Sequence, residues 1–282
     1  MANGEHSPTV RLRRLSRQLK ELRELSGFTA EHVASRLEWA QSKISRIEGA
    51  QWKRPSLRDV RDLLDLYGVD DEARREELLA LAKQSRERGW WEKYREVITG
   101  EFVGLEAEAH GIRTFQTTRL PGLLQTPDYA LAMSRADVTR EFGQAEKIQE
   151  SKGRRQRRIH DQHLDYWAII DEAAIVRPVG GTEVHRAQLE ALVEWNRKPN
   201  VTVQILPFDA GEHAGMGGPF VILDFAGTDP DVVYIETDSD GLYLDHADQV
   251  ERYNRIFNGL HAKSLHPDVT DAYLAERAKQ LR

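Results

Sequence analysis

Cysteine is absent from all 282 residues. That excludes disulfide bonds and any thiolate chemistry, nucleophilic or metal-binding. No apolar run approaches the roughly 20 residues that a helix needs to cross a bilayer. The opening residues Met1-Ala2-Asn3-Gly4-Glu5 carry no apolar core, so a signal peptide is not expected. These absences predict a soluble, cytoplasmic protein with no membrane contact, large enough for two or three domains. A further absence is local. Residues 199–251 contain no Lys or Arg, yet hold eleven acidic residues: Asp209, Glu212, Asp224, Asp229, Asp231, Glu236, Asp238, Asp240, Asp245, Asp248 and Glu251. A field of one sign serves equally as a solubilising face or as a guide for a basic partner.

The cations are concentrated at the other end. The net charge is −6, but residues 1–67 hold thirteen Lys/Arg against nine Asp/Glu, a balance of +4, and the rest of the chain carries −10. A mildly basic head on an acidic body is the charge footprint of a DNA reader joined to a domain with another task. Mild basicity implies modest non-specific affinity, so base contacts must supply much of the useful binding.

Residues 28–46 specify how such a head would read DNA. They predict two short helices joined by a tight turn. Thr29 caps the first, and Val33, Ala34 and Leu37 form its buried face. Glu38, Trp39 and Ala40 make the turn. Ala40, Ile44 and Ile47 lie at helical spacing on the inward side of the second helix. Gln41, Ser42, Lys43 and Arg46 face outward, and Gly49 ends the helix. A helix of this kind fits the major groove and brings its N-terminal side chains to base edges. Upstream, Leu12, Leu15, Leu19 and Leu22 mark an amphipathic helix. Downstream, Leu57, Val60, Leu64 and Tyr67 mark another, capped by Ser56 and ended by Gly68.

This stretch resembles the Xre-type helix-turn-helix family, which includes the phage repressors, over residues 10–68. The run Ser42-Lys43-Ile44-Ser45-Arg46-Ile47-Glu48-Gly49 and the following Lys53-Arg54-Pro55 carry the likeness. The bulky Trp39 departs from it. Trp39 either packs under the turn, which is the favoured reading, or lies against the DNA backbone. The resemblance implies DNA contacts from Thr29, Gln41, Ser42, Lys43, Arg46, Lys53 and Arg54, with Lys53 and Arg54 near the phosphates.

Beyond the head, the expected fold is α+β and multidomain. Residues 1–9 read as disordered, 10–68 as the head, 69–100 as a helical linker and 101–282 as an α/β body with a mainly antiparallel sheet. The linker includes a charged helix over 71–88, and Trp90 and Trp91 read as an anchor for the next domain. Residues 101–135 read as helical, interrupted at Leu120-Pro121-Gly122 and restarting at Thr126-Pro127. Another helix covers 144–162. Strands are predicted at 165–170, 201–206, 220–225, 232–236 and 242–244, with helices at 183–197, 246–264 and 268–281.

The body resembles a family of antitoxin-like transcriptional regulators of actinobacteria, including developmental regulators of the WhiJ type, over about 90–265. The run Leu120-Pro121-Gly122-Leu123-Leu124-Gln125-Thr126-Pro127-Asp128-Tyr129-Ala130 carries it most specifically. Arg155-Gln156, the run from Val203 to Phe208, and Gly211-Glu212-His213 add to it. The resemblance implies a domain that senses an effector or docks a small protein encoded beside the regulator, with no established catalytic role. Partner contacts are expected at Asp229, Asp231, Asp238, Asp240, Phe220 and His213, the last in a flexible loop over 211–218. Apolar strand edges near Phe220 and Val232 would add a partner strand.

Each of these residues also has a purely structural role open to it. Glu236-x-Asp238-x-Asp240-Gly241 begins like a calcium loop, but its twelfth position is Ala247 rather than a bidentate Glu, so a turn is expected. His213 has no second fixed partner that would make it a general base. Arg155 and Gln156 are expected to be structural, and Arg154, Arg157 and Arg158 solvated. No catalytic residue, metal or cofactor is expected. The sequence therefore predicts a DNA-binding transcriptional regulator, a homodimer on a palindromic double-stranded operator, associated with the nucleoid when bound. The alternatives are an antitoxin-like half of a two-protein system and a ligand-sensing body with residual enzymatic activity.

Overall fold

A computed structural model describes residues 7–52, 54–97, 100–136, 145–227, 229–237 and 241–281. The chain forms two compact units. One takes in residues up to 93 together with 100–108, and the other takes in 94–99 together with the rest of the chain.

The first unit is all-helical. Its elements are α1 (Pro8–Leu25), α2 (Ala30–Arg36), α3 (Gln41–Glu48), α4 (Leu57–Leu66), α5 (Glu72–Gln84), a 3-10 turn (Trp90–Tyr94) and α6 (Gly100–Glu106). Leu15 and Leu19 of α1, Val33 and Ala34 of α2, Ile44 and Ile47 of α3, and Val60, Leu63 and Leu64 of α4 close one core. Leu78, Leu81 and Ala82 of α5 belong to the same core, so this helix is part of the head rather than a linker.

The head also starts earlier than expected. Ser7 caps α1 and Pro8 takes its first turn, the arrangement that suits a residue with no N–H to donate. The Ser7 N–H donates to Glu108 Oε2 at 2.9 Å, and Val10 is buried. Residues 7–9 are thus ordered, whereas residues 1–6 lie outside the described residues. Trp91 is buried and falls within this same unit. A Cβ on Gly104 would come within 2.9 Å of its ring.

Four helices of the head end in the same way. After each C-cap, one residue turns left-handed and the next N–H reaches back to the carbonyl five residues earlier. These bonds are Phe28 to Arg23, Trp39 to Ala34, Gln51 to Arg46 and Val69 to Leu64. At α1 and α4 the left-handed residue is Gly27 or Gly68, as expected for Gly68. At α2 and α3 it is Glu38 (φ 55°) and Ala50 (φ 54°). Gly49 is the C-cap of α3, but at φ −86° it is not the residue that needs glycine's freedom. Ala50→Gly should therefore stabilise the head by about 0.5–1 kcal/mol, the relief of the left-handed strain less the added freedom of the unfolded chain. Thermal unfolding of the full chain checks the sign.

The second unit is built on a six-stranded sheet of order β3-β2-β1-β4-β5-β6. The strands are β1 (Gly111–Gln116), β2 (Asp165–Asp171), β3 (Val201–Leu206), β4 (Phe220–Asp224), β5 (Val232–Glu236) and β6 (Gly241–Leu244). The β1–β2 and β2–β3 ladders are parallel and the other three antiparallel. Helices α7 (Pro127–Ala136) and α8 (Ala145–His160) connect β1 to β2, and α9 (Glu172–Val176) and α10 (Thr182–Asn196) connect β2 to β3. Two helices, α11 (Ala247–Lys263) and α12 (Pro267–Gln280), end the chain.

Side chains alternate across this sheet. Phe115, Ile169, Phe220, Ile222 and Val233 share a core with Val250, Phe257 and Leu260 of α11. β1 is a central strand where the sequence reading placed helix. Ile112, Thr114 and Phe115 are all buried, as befits a strand covered on both faces. The run Leu120–Tyr129 is held by a buried polar network. Gln125 Nε2 donates to Leu120 O at 2.8 Å, Gln156 Nε2 to Leu123 O at 2.9 Å and Gln188 Nε2 to Leu124 O at 3.0 Å. Lys152 Nζ donates to Gln125 Oε1 at 2.7 Å.

Candidate nucleic-acid interface

The head's exposed polar face is built on α2 and α3. Thr29 Oγ1 accepts the His32 N–H at 3.1 Å and so fixes the start of α2. Ile44 and Ile47 point into the core, and Gln41, Ser42, Ser45 and Arg46 are exposed. Ala40 is not on the inward face. It is the exposed N-cap of α3 and has no side chain to make a capping bond. The Lys43 N–H at that helix start donates instead to the Ala40 carbonyl, at 2.8 Å.

Trp39 is half-buried against the head core, in line with packing under the turn. Lys43 is not turned freely outward. Its Nζ is 2.8 Å from Asp59 Oδ2 and 3.5 Å from the centroid of the Trp39 ring. Arg46 Nε donates to Ser42 O of its own helix at 3.2 Å. Arg54 is exposed in the bend after α3, and Lys53 lies outside the described residues.

The far end of α3 is fixed to α1. Arg23 Nε and Nη2 donate to Glu48 Oε1 and Oε2 at 2.6 and 3.0 Å, and Arg23 Nη1 donates to Phe28 O at 2.7 Å. Both side chains are nearly buried, at 12% and 13% exposure. The bond to Glu48 holds the guanidinium above its ordinary pKa, against the opposing effect of burial. Burial also pushes the Tyr67 hydroxyl up. Neither Asp59 nor the Arg23–Glu48 pair was singled out from sequence. Each partner is remote in the chain, and only the helical register brings it near.

The body's expected partner contacts fare differently. Phe220 is buried on β4, an interior strand between β1 and β5, and packs against Phe115 and Tyr253. Val232 is on β5, also interior, so neither offers an edge to a partner strand. The β3 edge is already covered. Val203 N–H donates to Asn196 Oδ1 at 2.7 Å, and Leu265 N–H donates to Ile205 O at 2.8 Å.

The acidic stretch is in part neutralised from elsewhere in the body. Arg113 on β1 grips Asp224 with two bonds, at 2.5 and 3.1 Å, and lies 4.0 Å from Asp231. Arg119 pairs with Glu236. Asp231 Oδ1 also accepts the Phe225 N–H at 3.2 Å, which makes this residue part of the β4–β5 hairpin. Asp229 is half-buried, and Asp238 and Asp240 lie outside the described residues.

Burial, and then the neighbouring Asp224, push the Asp231 carboxyl above the usual carboxylate range. A raised carboxyl stabilises the fold below its unfolded pKa, near 3.8. That contribution is lost as pH rises through the folded value. Asp231→Asn keeps the acceptor oxygen and removes the charge. It should raise the body's melting temperature at neutral pH by roughly 1–3 °C, with the gain vanishing toward pH 4. Melting curves across that range check it.

His213 is turned inward in a loop that is tied down. Its ring meets Phe115 edge-on, and Gly215 lies so close to Phe115 that a Cβ there would come within 2.5 Å. Lys263 Nζ donates to the carbonyls of Ala210 and Glu212. His213 Nδ1 accepts the Gly215 N–H at 3.2 Å, and its Nε2 is 3.9 Å from Asp171 Oδ2.

Among the described residues, no group of three or more His, Asp or Glu side chains is placed to hold a metal ion. No described helix is long and apolar enough to cross a membrane. Residues 14–78 match a helix-turn-helix domain, which supports a DNA-binding regulator. Residues 99–276 match a domain of unknown function (DUF5753). No curated protein and no solved structure gives a match. The match over 99–276 covers more than half of the chain, which therefore belongs to the DUF5753 family and carries a helix-turn-helix domain ahead of the family's own.

Proposed function

We propose that this chain is a sequence-specific transcriptional regulator of the Xre type, active in the cytoplasm and on the nucleoid. It binds a palindromic operator as a homodimer. The observation that carries this reading is α3. It buries Ile44 and Ile47, exposes Gln41, Ser42, Ser45 and Arg46, and is held at its far end by Arg23 and Glu48. Glutamine pairs with adenine and arginine with guanine in the major groove.

In this reading the body docks a small partner protein or an effector and is not an enzyme. The exposed acidic residues Asp209 and Glu212 would speed the partner's approach more than they would set its affinity.

Arg46→Ala should cost about 1–3 kcal/mol on the preferred site and relax its specificity. Gln41→Ala should act in the same direction. Binding isotherms on operator DNA test both. Wild-type affinity in both variants would remove the recognition-helix assignment.

A further inference from the structure

The two basic side chains of α3 are placed differently. Arg46 is exposed and lies back along its own helix. Lys43 is bound on two sides, by the Asp59 carboxylate at 2.8 Å and by the Trp39 ring at 3.5 Å to the centroid. Both of these partners are themselves fixed. Asp59 is in the first turn of α4, where a carboxylate is favoured by the helix dipole, and its N–H donates to Ser56 Oγ at 3.3 Å. Trp39 is half-buried in the turn, with its N–H bonded to Ala34 O at 2.8 Å. The ammonium therefore links the turn, α3 and the start of α4.

We infer that Lys43 is a positioning residue and not a DNA contact: with Trp39 and Asp59 it sets the pitch at which α3 presents Gln41, Ser42, Ser45 and Arg46. The inference rests on the DNA-reading function proposed above. An ammonium neutralised by Asp59 has little charge left for a phosphate. Pulling it toward DNA would also leave the Asp59 carboxylate facing the polyanion unpaired.

The test uses the full chain and two duplexes. One is the sequence that the wild-type protein enriches from a random pool, and the other is a scrambled duplex of equal length. Lys43→Met and Asp59→Asn should each lower the ratio of enriched to scrambled affinity about tenfold, through loss of the cation–π and ionic brace. The double variant should be no worse than either single one. The salt slope of Lys43→Met should stay at the wild-type value.

A direct contact by Lys43 predicts otherwise. Lys43→Met would then lower the salt slope by about one. Asp59→Asn would release the ammonium and leave the ratio unchanged or raised. Either result overturns the inference while leaving the DNA reading in place, and Asp59→Asn decides the matter even where Lys43→Met fails to fold. A wild-type chain that enriches no duplex removes the DNA reading and this inference with it.

Discussion

Phe115→Ala should destabilise the body by about 3–5 kcal/mol, the cost of a cavity where a large buried ring is deleted. Phe115 is fully buried on the central strand β1. It touches elements far apart in sequence: the His213 ring, the Phe220 ring and the backbone at Gly215. None of these can close over the gap alone, because β1 is hydrogen-bonded on both sides, to β2 and β4. For a unit of this size the loss is a fall of roughly 10–15 °C in melting temperature. The head has a core of its own, so its transition should stay where it is. Calorimetry of the full chain separates the two. A change under about 1 kcal/mol would mean that the sheet is not packed as described.

Glu48→Ala should cost on the order of 3–5 kcal/mol in the head, the usual price of breaking one side of a buried ion pair. The Arg23 guanidinium would keep its bonds to Phe28 O and, at 3.3 Å, to the exposed Glu24 Oε1, but lose both Glu48 oxygens in a nearly buried place. A head of about 100 residues has few kcal/mol to spare, so this variant should be largely unfolded at 37 °C. Replacing both partners with apolar residues, Arg23→Met with Glu48→Leu, should recover most of the stability, because no charge is then left buried. Urea titration of the head transition reads both. If Glu48→Ala unfolds at the wild-type midpoint, the link between α1 and α3 carries no weight.

Much of this architecture was legible in the sequence. Leu15, Leu19, Val33, Ile44 and Leu64 fall at helical spacing, and all are buried in one core. The hairpin of β4 and β5 and the helix start at Thr126-Pro127 could be read because alternation and capping are local signals. Thr126 Oγ1 indeed accepts the Tyr129 N–H, at 3.3 Å.

What escaped was decided by tertiary context. Gly111-Ile112-Arg113-Thr114-Phe115-Gln116 is too short and too mixed for its period to distinguish strand from helix. Its place between β2 and β4 settles the matter. Ser7-Pro8 is a helix start that the length of the leucine pattern alone did not reach. Gly49 ends α3 as its spacing predicts, but the left-handed residue is Ala50, fixed by the bonds back to Ile47 and Arg46, and no local signal marks an alanine for that conformation.

The candidate site divides along the same line. Thr29, Gln41, Ser42 and Arg46 are exposed as the outward side of an amphipathic helix must be. Lys43 is not free, because Asp59 comes from the next helix, and no spacing rule within α3 predicts it. In the body, charge counting along the chain overstated the acidic surface, because Arg113 and Arg119 reach it from β1 and the segment after it. Phe220 looked like a strand edge only because the order of strands in a sheet cannot be read from their order in the chain.

In the proposed function, α3 reads DNA sequence. The most direct measurement is enrichment of random duplexes by the full-length protein at moderate salt, repeated with Arg46→Ala. The expected result is a twofold-symmetric motif whose half-sites are about one helical turn apart, roughly 34–36 Å. Arg46→Ala should blur one base position in each half while the rest of the motif persists. Failure to enrich any motif, or an identical motif from Arg46→Ala, would contradict that function.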